Sequence, residues 1–535
     1  MNEEIEEYYE ELYRLYIDEN QPLERRYRQL RESLERVVRE KIQGNSLQTT
    51  DLAARINYVA TQYELDIKEQ NQLHTFRLTS NDILNHRKFP AKEEFLRDLR
   101  AVAFAYRKMF AQDIPLKLFS VLPKQEITSL GKKEKKEYIR RIRVCFDYAD
   151  DTYLYVHPVD IIADEPIRVV YNKPGINHEF EETIKELWRY AQLNLLDVFV
   201  DREGIYTPSF IVLEPDYLID ISSLAECYKD YGSHPANYFL SRLVPIDNAR
   251  PLLLGNIANL FLDEWIHAGE EEPDYIDCMK KAFRQYPIEL AACAELRDPS
   301  KEKEFAKDCR MHFEHIRDIV QHTFLEPGYN LDKKDAVLEP SYICEALGIQ
   351  GRLDYMQRDM SSFIEMKSGK ADEFSIQGKV EPKENNKVQM LLYMAVLEYS
   401  MGQDRRRMHP YLLYTRYPLL YPARASWAQV RRVINLRNRI VAAEYGVQFH
   451  NHSDFTRNLL AQINPEVMNE RKLRGRFWEQ YLKPSISRFR EKLSALEPLE
   501  QAYFYTLYNF ITKELYTSKS GDVDYEGRAG ASALW

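Results

Sequence analysis

The sequence predicts an α/β fold, α+β overall, in which large helical regions accompany two separate groups of strands. Apolar residues recur at helical spacing over long stretches near both ends of the chain. Short β-branched and aromatic runs begin at about residue 137, and a second group of strands surrounds one clear helix within 336–415. We expect four regions: a helical N-terminal region at 1–130, a small β-rich, barrel-like domain at 131–215, a mixed core at 216–420 and a helical C-terminal region at 421–535.

The N-terminal region is expected to begin with one long helix over residues 1–43. Its apolar positions keep helical spacing at Tyr9, Leu12, Tyr13 and Tyr16, and again at Leu30, Leu34 and Val37. Such a helix could offer a coiled-coil surface to a partner, but packing on its own domain is the favoured interpretation.

The β-rich region is expected to form a small barrel or meander at 137–215. Its strands are predicted from the runs RIRVCFDYA, TYLYVHPVDII and PIRVVYN, and EFEETIKELWRYAQLN is predicted to be an inserted helix. A barrel of this size could bind single strands, but the sequence alone does not indicate that it does.

Composition indicates a globular protein of a reducing compartment. Of the 535 residues, 44% are hydrophobic and 30% charged, which excludes a disordered chain. The net charge of −10 argues weakly against a nucleic-acid partner, but basic stretches such as Arg471–Arg490 leave room for a local basic surface. Six scattered cysteines, no signal peptide and no long apolar run lead us to expect a cytoplasmic protein without a membrane partner.

The residues that indicate chemistry lie between Val337 and Thr415. Three strands are predicted in succession, VLEPSYIC, GRLDYMQRD and SSFIEMKS, followed by the helix ENNKVQMLLYMAVLEYS and the strand HPYLLYT. Asp354 is at the centre of the second strand. Glu365 and Lys367 are two apart on the third, so they share one face. A hairpin between these strands would bring Asp354 beside Glu365.

These two carboxylates and one ammonium group form a candidate site for metal-dependent hydrolysis. Carboxylates this close repel unless positive charge lies between them, and oxygen ligands suit Mg²⁺ or Mn²⁺. Such a cation would activate a water and neutralise phosphate charge, while Lys367 could orient the water or stabilise developing charge. A Glu-x-Lys triplet alone is a weak signal, because Glu and Lys alternate on many exposed strands. Apolar neighbours on both sides indicate that these charges are partly enclosed.

Three motifs follow one another in this region: G-R-L-D ending at Asp354, E-M-K-S-G-K beginning at Glu365, and Q-x-x-x-Y from Gln389 to Tyr393. Together they resemble the RecB-type branch of the PD-(D/E)XK nucleases, and within it the nuclease domain of the eukaryotic Okazaki-flap nuclease–helicase and its bacterial relatives. The resemblance implies a restriction-endonuclease-like αβββαβ core and a metal-dependent DNA nuclease, and it leaves open whether the process is DNA replication, DNA repair or phage defence.

The resemblance also implies roles for the matching residues. Asp354 and Glu365 would bind the metal, helped by the backbone carbonyl of Met366, and Lys367 would be the catalytic lysine. Glu339 is a weaker candidate for an accessory acidic residue on the first strand.

The helix after these strands is implied to contact the substrate. Gln389 and Tyr393 are four apart and share one helix face, which in the family borders the active site and contacts the DNA strand. Core packing is the alternative interpretation of Tyr393. The resemblance is strong over about 250–415, weaker over 421–535 and absent over 1–130.

The sequence departs from the family on an upstream helix that carries a metal-binding His in a G-x-(I/L/V)-x-H context. Gly255 and Ile257 match, but the His position is Asn259. An Asn carbonyl oxygen can bind Mg²⁺, so Asn259 is kept as a candidate ligand, although it does not replace imidazole for softer ions. His267 is no substitute, because eight residues of helix carry it about 12 Å further, on another face. A catalytically decayed DNA-binding module is therefore the alternative function.

Missing motifs and the C-terminal segment indicate which cofactors and partners to expect. No Cys follows Cys344, so we expect no iron–sulfur cluster of the kind that many relatives hold. No GxxxxGK[ST] motif occurs, so we expect no ATP site in this chain. The C-terminal segment looks like the lead-in to a helicase motor, and we expect a fragment whose motor acts in cis in a longer protein or in trans. The expected substrate is DNA, single-stranded or with ends; a purely structural or partner-binding role is a third hypothesis.

Overall fold

The structure is a computed structural model that describes residues 2–42, 51–123, 137–161, 163, 165–244, 250–329, 331–374, 379–424, 426–449 and 453–520. It is a mixed α/β structure with small mixed sheets, in two compact units. Unit 1 contains Met1–Pro215 with Glu444–Asn451 and Thr512–Trp535, and unit 2 contains Asp216–Ala443 with His452–Ile511. Among the described helices, none combines the length and apolar character needed to cross a membrane. The segment 521–535, predicted to lead toward a motor, lies outside the described residues.

The helices of unit 1 enclose an apolar core. They are α1 (Asn2–Ile17), α2 (Leu23–Ile42), α3 (Leu52–Gln62), α4 (Ile67–Leu84), α5 (Lys92–Phe110), α6 (Leu116–Phe119) and the short α7 (Glu181–Lys185). The single long helix predicted over residues 1–43 is wrong, because α1 and α2 are separate. Pro22 explains the break, since it disfavours helical backbone at the preceding residue. Its carbonyl accepts from Arg26 N and so opens α2.

The strands of unit 1 form a closed barrel. They are β1 (Tyr138–Ala149), β2 (Tyr153–Pro158), β3 (Ile167–Val170), β4 (Gln192–Val200), β5 (Tyr206–Thr207) and β6 (Phe210–Leu213). They pair in the order β1-β2-β3-β5-β4-β6, and a further pairing of β1 with β4 closes a ring of five strands, to which β6 is added. Only β3 and β5 pair in parallel within this sheet.

The helix predicted for EFEETIKELWRYAQLN is mostly wrong. The segment forms a 3₁₀ turn and the five residues of α7, and from Gln192 onward it is strand β4. Tyr190 adopts a left-handed φ of 72°, and its N–H donates to the Phe146 carbonyl of β1, so the chain turns into the sheet there. Tyr190 and Cys145 pack within the helical core, which groups the helical region and the barrel in one unit.

Unit 2 contains the remaining elements in four groups. Its helices are α8 (Ile221–Ala225), α9 (Ala236–Leu243), α10 (Arg250–His267), α11 (Tyr275–Gln285), α12 (Pro287–Ala292), α13 (Pro299–Gln321), α14 (Glu384–Met401), α15 (Trp427–Phe449), α16 (Ser453–Ala461), α17 (Pro465–Met468), α18 (Lys483–Ser494) and α19 (Pro498–Ser520), of which α15 and α19 end in unit 1. One sheet has the order β7-β10-β9, with β7 (Ile219–Asp220), β9 (Ser341–Cys344) and β10 (Ile349–Arg352). The main sheet has the order β16-β15-β12-β11-β8, with β8 (Ala336–Leu338), β11 (Tyr355–Gln357), β12 (Ser362–Lys367), β15 (His409–Tyr414) and β16 (Leu419–Pro422). A separate hairpin pairs β13 (Asp372–Phe374) with β14 (Lys379–Glu381).

Two of the predicted strands are each divided between two sheets. VLEPSYIC forms β8 and β9, and GRLDYMQRD forms β10 and β11, so Asp354 lies in the bend after β10 and not at the centre of a strand. The chain crosses between the sheets where Glu339 N donates to the Asp354 carbonyl and Leu353 N donates to the Pro340 carbonyl, each at 3.1 Å. Glu339 adopts a left-handed φ of 49° at this crossing, which the sequence pattern did not indicate.

Strand β12 lies at the centre of the main sheet. It pairs antiparallel with β11 and parallel with β15, and α14 connects the two parallel strands. Its side chains alternate, so Ile364 and Met366 enter the apolar core formed with α10 and α13, while Glu365 and Lys367 point to the other face.

A buried imidazole in α13 predicts a pH-dependent stability. His312 is fully buried, and burial lowers its pKa to about 4 from an ordinary 6.5. The His312 imidazole of the unfolded chain therefore takes up a proton below pH 6.5, whereas that of the folded chain stays neutral until about pH 4. We expect the unfolding free energy to fall by about 3 kcal/mol across this interval.

Urea titrations at a series of pH values measure this loss. The His312→Gln variant should lack this component, whereas His322→Gln, which removes an exposed imidazole at the end of the same helix, should keep it. An equal acid response in His312→Gln and the wild type would contradict the assignment.

Candidate active site

The structure brings Asp354, Glu365 and Lys367 together on one face of the main sheet. Tyr355 pairs with Ile364 in the β11–β12 ladder, so extending that register by one residue sets Asp354 opposite Glu365. Lys367 Nζ donates to Glu365 Oε1 at 2.8 Å. Asp354 Oδ2 accepts from the N–H of Met366 at 2.6 Å, which ties the bend after β10 to β12.

The Glu365 carboxylate is buried, and only one of its two oxygens accepts hydrogen bonds. The residue is 3% exposed. Its Oε1 accepts from Lys367 Nζ and, at 2.6 Å, from Gln389 Nε2. Its Oε2 is also buried and accepts no hydrogen bond from any described residue. A buried carboxylate oxygen without a donor is costly, so this atom has capacity for a positively charged or protonated ligand.

The Asp354 carboxylate also keeps one oxygen uncommitted. Its Oδ2 is used by Met366 N–H, while Oδ1 has no hydrogen bond within the described chain. Asp354 remains partly accessible to solvent, in contrast to Glu365. The pair therefore presents one open oxygen from each carboxylate.

The charges of the site shift one another's protonation. Burial and, after it, the charge of Asp354 raise the pKa of Glu365, and burial also raises the pKa of Asp354. Burial opposes the charge of Lys367, but the carboxylates of Glu365 and Asp354 outweigh it and raise the pKa of the ammonium group. The site therefore holds a stable ammonium group beside two carboxyl groups that resist being ionised together, a repulsion that a bound cation would relieve.

Helix α14 supplies a side chain that positions this pair. Gln389 accepts from Lys367 Nζ at 2.9 Å while donating to Glu365, so one amide fixes both groups. Tyr393 is 1% exposed and donates its hydroxyl to the Arg352 carbonyl at 2.5 Å. Both side chains are buried and form these hydrogen bonds within the protein, and the substrate contacts predicted for them stay a prediction.

Gly351 permits the close approach of Tyr393. A Cβ added at Gly351 would lie 3.1 Å from both the Tyr393 ring and its hydroxyl. A side chain there would therefore push the Tyr393 ring away from the Arg352 carbonyl. The close packing of Tyr393 thus explains why a glycine occupies the first position of the G-R-L-D motif in this chain.

Helix α10 borders the same region with a stripe of residues four apart. A Cβ at Gly255 would lie 3.2 Å from the Ser368 hydroxyl, just beyond β12. Asn259 is partly buried one turn later, and Asp263 follows after another turn on the same stripe. His267 is exposed, and its Nδ1 contacts the Asp263 carbonyl at 2.9 Å.

Asp263 is an acidic group of this site that the motif comparison missed. Burial and then the charge of Glu339 raise its pKa to about 6, with Asp354 contributing in the same direction. Its spacing of four from Asn259 and eight from Gly255 was the signal that could have found it. Glu339, the predicted accessory residue, adds its charge to this group while forming an ion pair with Arg352 at 3.1 Å.

The fit of this site to a divalent cation rests on the open oxygens of Asp354 and Glu365. Within the described part of the chain, no three His, Cys, Asp or Glu side chains are arranged to hold a metal ion by themselves. The open oxygens of Glu365 and Asp354, with the charges of Glu339 and Asp263 acting on Asp354, match the ligand chemistry of Mg²⁺ and Mn²⁺, which complete their shells with water. Within the described residues no hydrogen bond ties Asn259 to either carboxylate, so Asn259 and the Met366 carbonyl both remain predicted ligands.

Removing the Asp263 charge is expected to weaken cation binding. Asp263→Asn deletes a negative charge that acts on Asp354. Between partly buried groups such a charge contributes roughly 1 kcal/mol to the binding free energy of a cation, or about fivefold in affinity. Mn²⁺ titration followed by electron paramagnetic resonance measures the change. Glu264→Gln is the matched control, because Glu264 is the adjacent acid and forms an ion pair with Lys281. An equal loss in both variants would remove Asp263 from the site.

The six cysteines take no part in this site. All are buried free thiols. Burial raises the pKa of Cys227, Cys278 and Cys309, which leaves them protonated and unreactive at neutral pH.

Comparison with families and curated proteins identifies no similar protein. No model of a known protein family matches the chain, and a search of curated proteins finds no significant similarity to any of them.

Proposed function

We propose that the chain is a divalent-metal-dependent DNA nuclease whose active site is formed by Asp354, Glu365 and Lys367. The observation that carries the proposal is the buried Glu365 Oε2, which lacks a donor beside the open oxygen of Asp354 and the ammonium group of Lys367. Most buried carboxylate oxygens have a hydrogen-bond donor, so this oxygen has capacity for a cation.

The residues divide the work of phosphodiester hydrolysis between them. Asp354 and Glu365 would hold Mg²⁺ or Mn²⁺, and such an ion at this place supplies water activation and neutralisation of phosphate charge. Lys367 has three N–H donors, of which Glu365 and Gln389 use two. The third is free for an attacking water or a phosphate oxygen, and the side chain is 26% exposed, so that donor reaches solvent.

The proposed fold around the site is a restriction-endonuclease-like core. Its strands would be β8, β11, β12 and β15, with α14 as the crossover helix between the last two. Support for this comes from the parallel pairing of β12 with β15 and the antiparallel pairings of β11 with β8 and β12. The E-M-K-S-G-K motif begins on β12 and the Q-x-x-x-Y motif lies on α14, while the G-R-L-D motif ends in the bend that leads into β11.

The proposed substrate is DNA that is single-stranded or has free ends, and the proposed partner is a helicase motor. A catalytically decayed DNA-binding module is the second candidate, favoured by Asn259 at the position of the family's His. In that case the protein binds DNA without cutting it, and Asn259→His restores cleavage.

One assay separates these two functions. Purified protein is incubated with labelled single-stranded, duplex and flap DNA in Mg²⁺, in Mn²⁺ and in EDTA. The proposal predicts cleavage that requires a divalent cation and favours the substrates with single strands. Salt-sensitive binding without cleavage in either cation would establish the decayed module instead.

A further inference from the structure

A row of exposed aromatic and basic side chains crosses the first three strands of the unit 1 barrel. Tyr148 of β1 pairs with Tyr155 of β2, and Tyr155 pairs with Arg168 of β3. Directly opposed residues share a sheet face, so these three side chains lie side by side, with Tyr153 two residues along β2. We call Tyr148, Tyr153, Tyr155 and Arg168 the tyrosine–arginine face.

The rings of this face are ordered against one another. Tyr148 and Tyr155 stack with centroids 4.2 Å apart and planes inclined by 11°. Tyr153 meets Tyr155 edge-on at 6.5 Å, and Arg168 lies over the Tyr153 ring at 5.6 Å. The geometry is a stack of two rings that cover each other's inner faces, with a third ring edge-on to the stack and a guanidinium at its border, so a further flat group would extend the stack at an outer face.

The tyrosine–arginine face is open to solvent on the outside of the barrel. Tyr148 is 50% exposed, and the other three members are partly exposed. The alternate residues of the same strands, Leu154 and Val169 among them, are fully buried in the barrel interior. Arg168 forms no ion pair or hydrogen bond with a described residue.

Sheet stability alone does not account for this arrangement. A cross-strand aromatic pair stabilises a hairpin, but it requires neither a third exposed ring nor an uncommitted guanidinium. The nearby acid Asp150 is committed to the turn after β1, where it accepts from the N–H groups of Thr152 and Tyr153 and from the Tyr155 hydroxyl. Its charge is therefore engaged within the turn, and that of Arg168 is not.

We propose that the tyrosine–arginine face binds single-stranded nucleic acid, with unpaired bases stacked on the tyrosines and a phosphate paired with Arg168. Stacking on aromatic rings holds bases of any identity, and arginine provides the charge that a phosphate backbone requires. Neutral sugars also stack on rings, but they leave a free guanidinium without a charged partner. Small five-stranded barrels do bind oligonucleotides or oligosaccharides on the face of their second and third strands, although a fold alone assigns no ligand.

This binding site goes beyond the proposed nuclease, because all its residues belong to unit 1 whereas Asp354, Glu365 and Lys367 belong to unit 2. Binding can be measured in EDTA, where cleavage is silent. Failure of the nuclease proposal therefore leaves this inference intact, and its own failure leaves the nuclease proposal intact.

The test is fluorescence anisotropy of labelled oligothymidylate and oligouridylate with the full chain in EDTA. Tyr148→Leu/Tyr155→Leu keeps apolar cross-strand contacts and removes the aromatic planes, and we expect affinity to fall about tenfold or more. Phe199→Leu is the matched control, because Phe199 is an aromatic residue of β4 that is 59% exposed and lies outside the tyrosine–arginine face. It should bind as the wild type does.

A second variant guards against misfolding of the double variant. Arg168→Gln should weaken binding and reduce its salt dependence by about one phosphate contact, without altering the stacked rings. The proposal is overturned if the wild type binds neither oligonucleotide in EDTA, if both variants bind as tightly as the wild type, or if Phe199→Leu loses as much as the double variant. Retention on an oligosaccharide array without oligonucleotide binding would also overturn it.

Discussion

Lys367→Ala is expected to reduce the rate of DNA cleavage by about a thousandfold. The substitution removes the only ammonium group that contacts Glu365 in the described chain and, with it, the N–H donor that we propose for the attacking water or a phosphate oxygen. Because Asp354 and Glu365 remain, cation binding should persist, so the loss should appear in the maximal rate. Initial rates on labelled single-stranded DNA at saturating Mn²⁺ measure it.

Lys370→Ala is the matched control for this loss. Lys370 lies three residues further along the same motif, is exposed, and forms no ion pair with a described residue. Removing its charge leaves the carboxylates and Gln389 in place, so the maximal rate should stay within about threefold of wild type, a rate difference worth roughly 0.7 kcal/mol. Comparable losses in the two variants would mean that general positive charge, and not the position of Lys367, supports cleavage.

Glu365→Gln is expected to abolish cleavage and at the same time stabilise the cation-free protein. Burial and the Asp354 charge raise the pKa of Glu365, so the folded chain holds a proton that the unfolded chain releases above about pH 4.3. Wild-type stability therefore declines as pH rises from about 4.3 toward the folded pKa, and the neutral glutamine lacks this decline. At pH 7 we expect Glu365→Gln to raise the unfolding free energy by roughly 1–2 kcal/mol. The loss of the ion pair between Lys367 and Glu365 reduces this gain.

Divalent cations should reverse that order of stability. Mn²⁺ at a hundred times its dissociation constant stabilises a protein that binds it only when folded by about 2.7 kcal/mol, so the wild type should gain this amount. Glu365→Gln should gain little, because its amide supplies no charge to the ion. Chemical denaturation with Mn²⁺ and with EDTA measures both values, and an equal gain in the two proteins would place the cation elsewhere.

The central strands and their charged pair could be predicted from the sequence because they depend on local alternation. Glu365 and Lys367 are two apart within an apolar run, so their common face and their enclosure follow from strand periodicity alone. The helix from Glu384 to Met401 was predicted for the same reason, since its apolar positions repeat at helical spacing.

The features that the sequence could not indicate depend on tertiary pairing. Asp354 lies in a bend because β10 and β11 belong to different sheets, and no residue pattern marks that division. Gln389 bridges Glu365 and Lys367 only because α14 packs over β12. The predicted helix extends to Asn194, three residues into β4, whereas the pairing of β4 with both β1 and β6, a non-local interaction, overrides the preceding helical pattern.

The most direct test of the account is to locate the cation itself. Crystals of the full chain soaked in Mn²⁺ and measured at the manganese absorption edge would give an anomalous difference map. We expect a peak between Glu365 Oε2 and Asp354 Oδ1, with Lys367 still hydrogen-bonded to Glu365 Oε1. A fully occupied manganese site elsewhere, with no density between these two carboxylates, would contradict the metal-dependent mechanism.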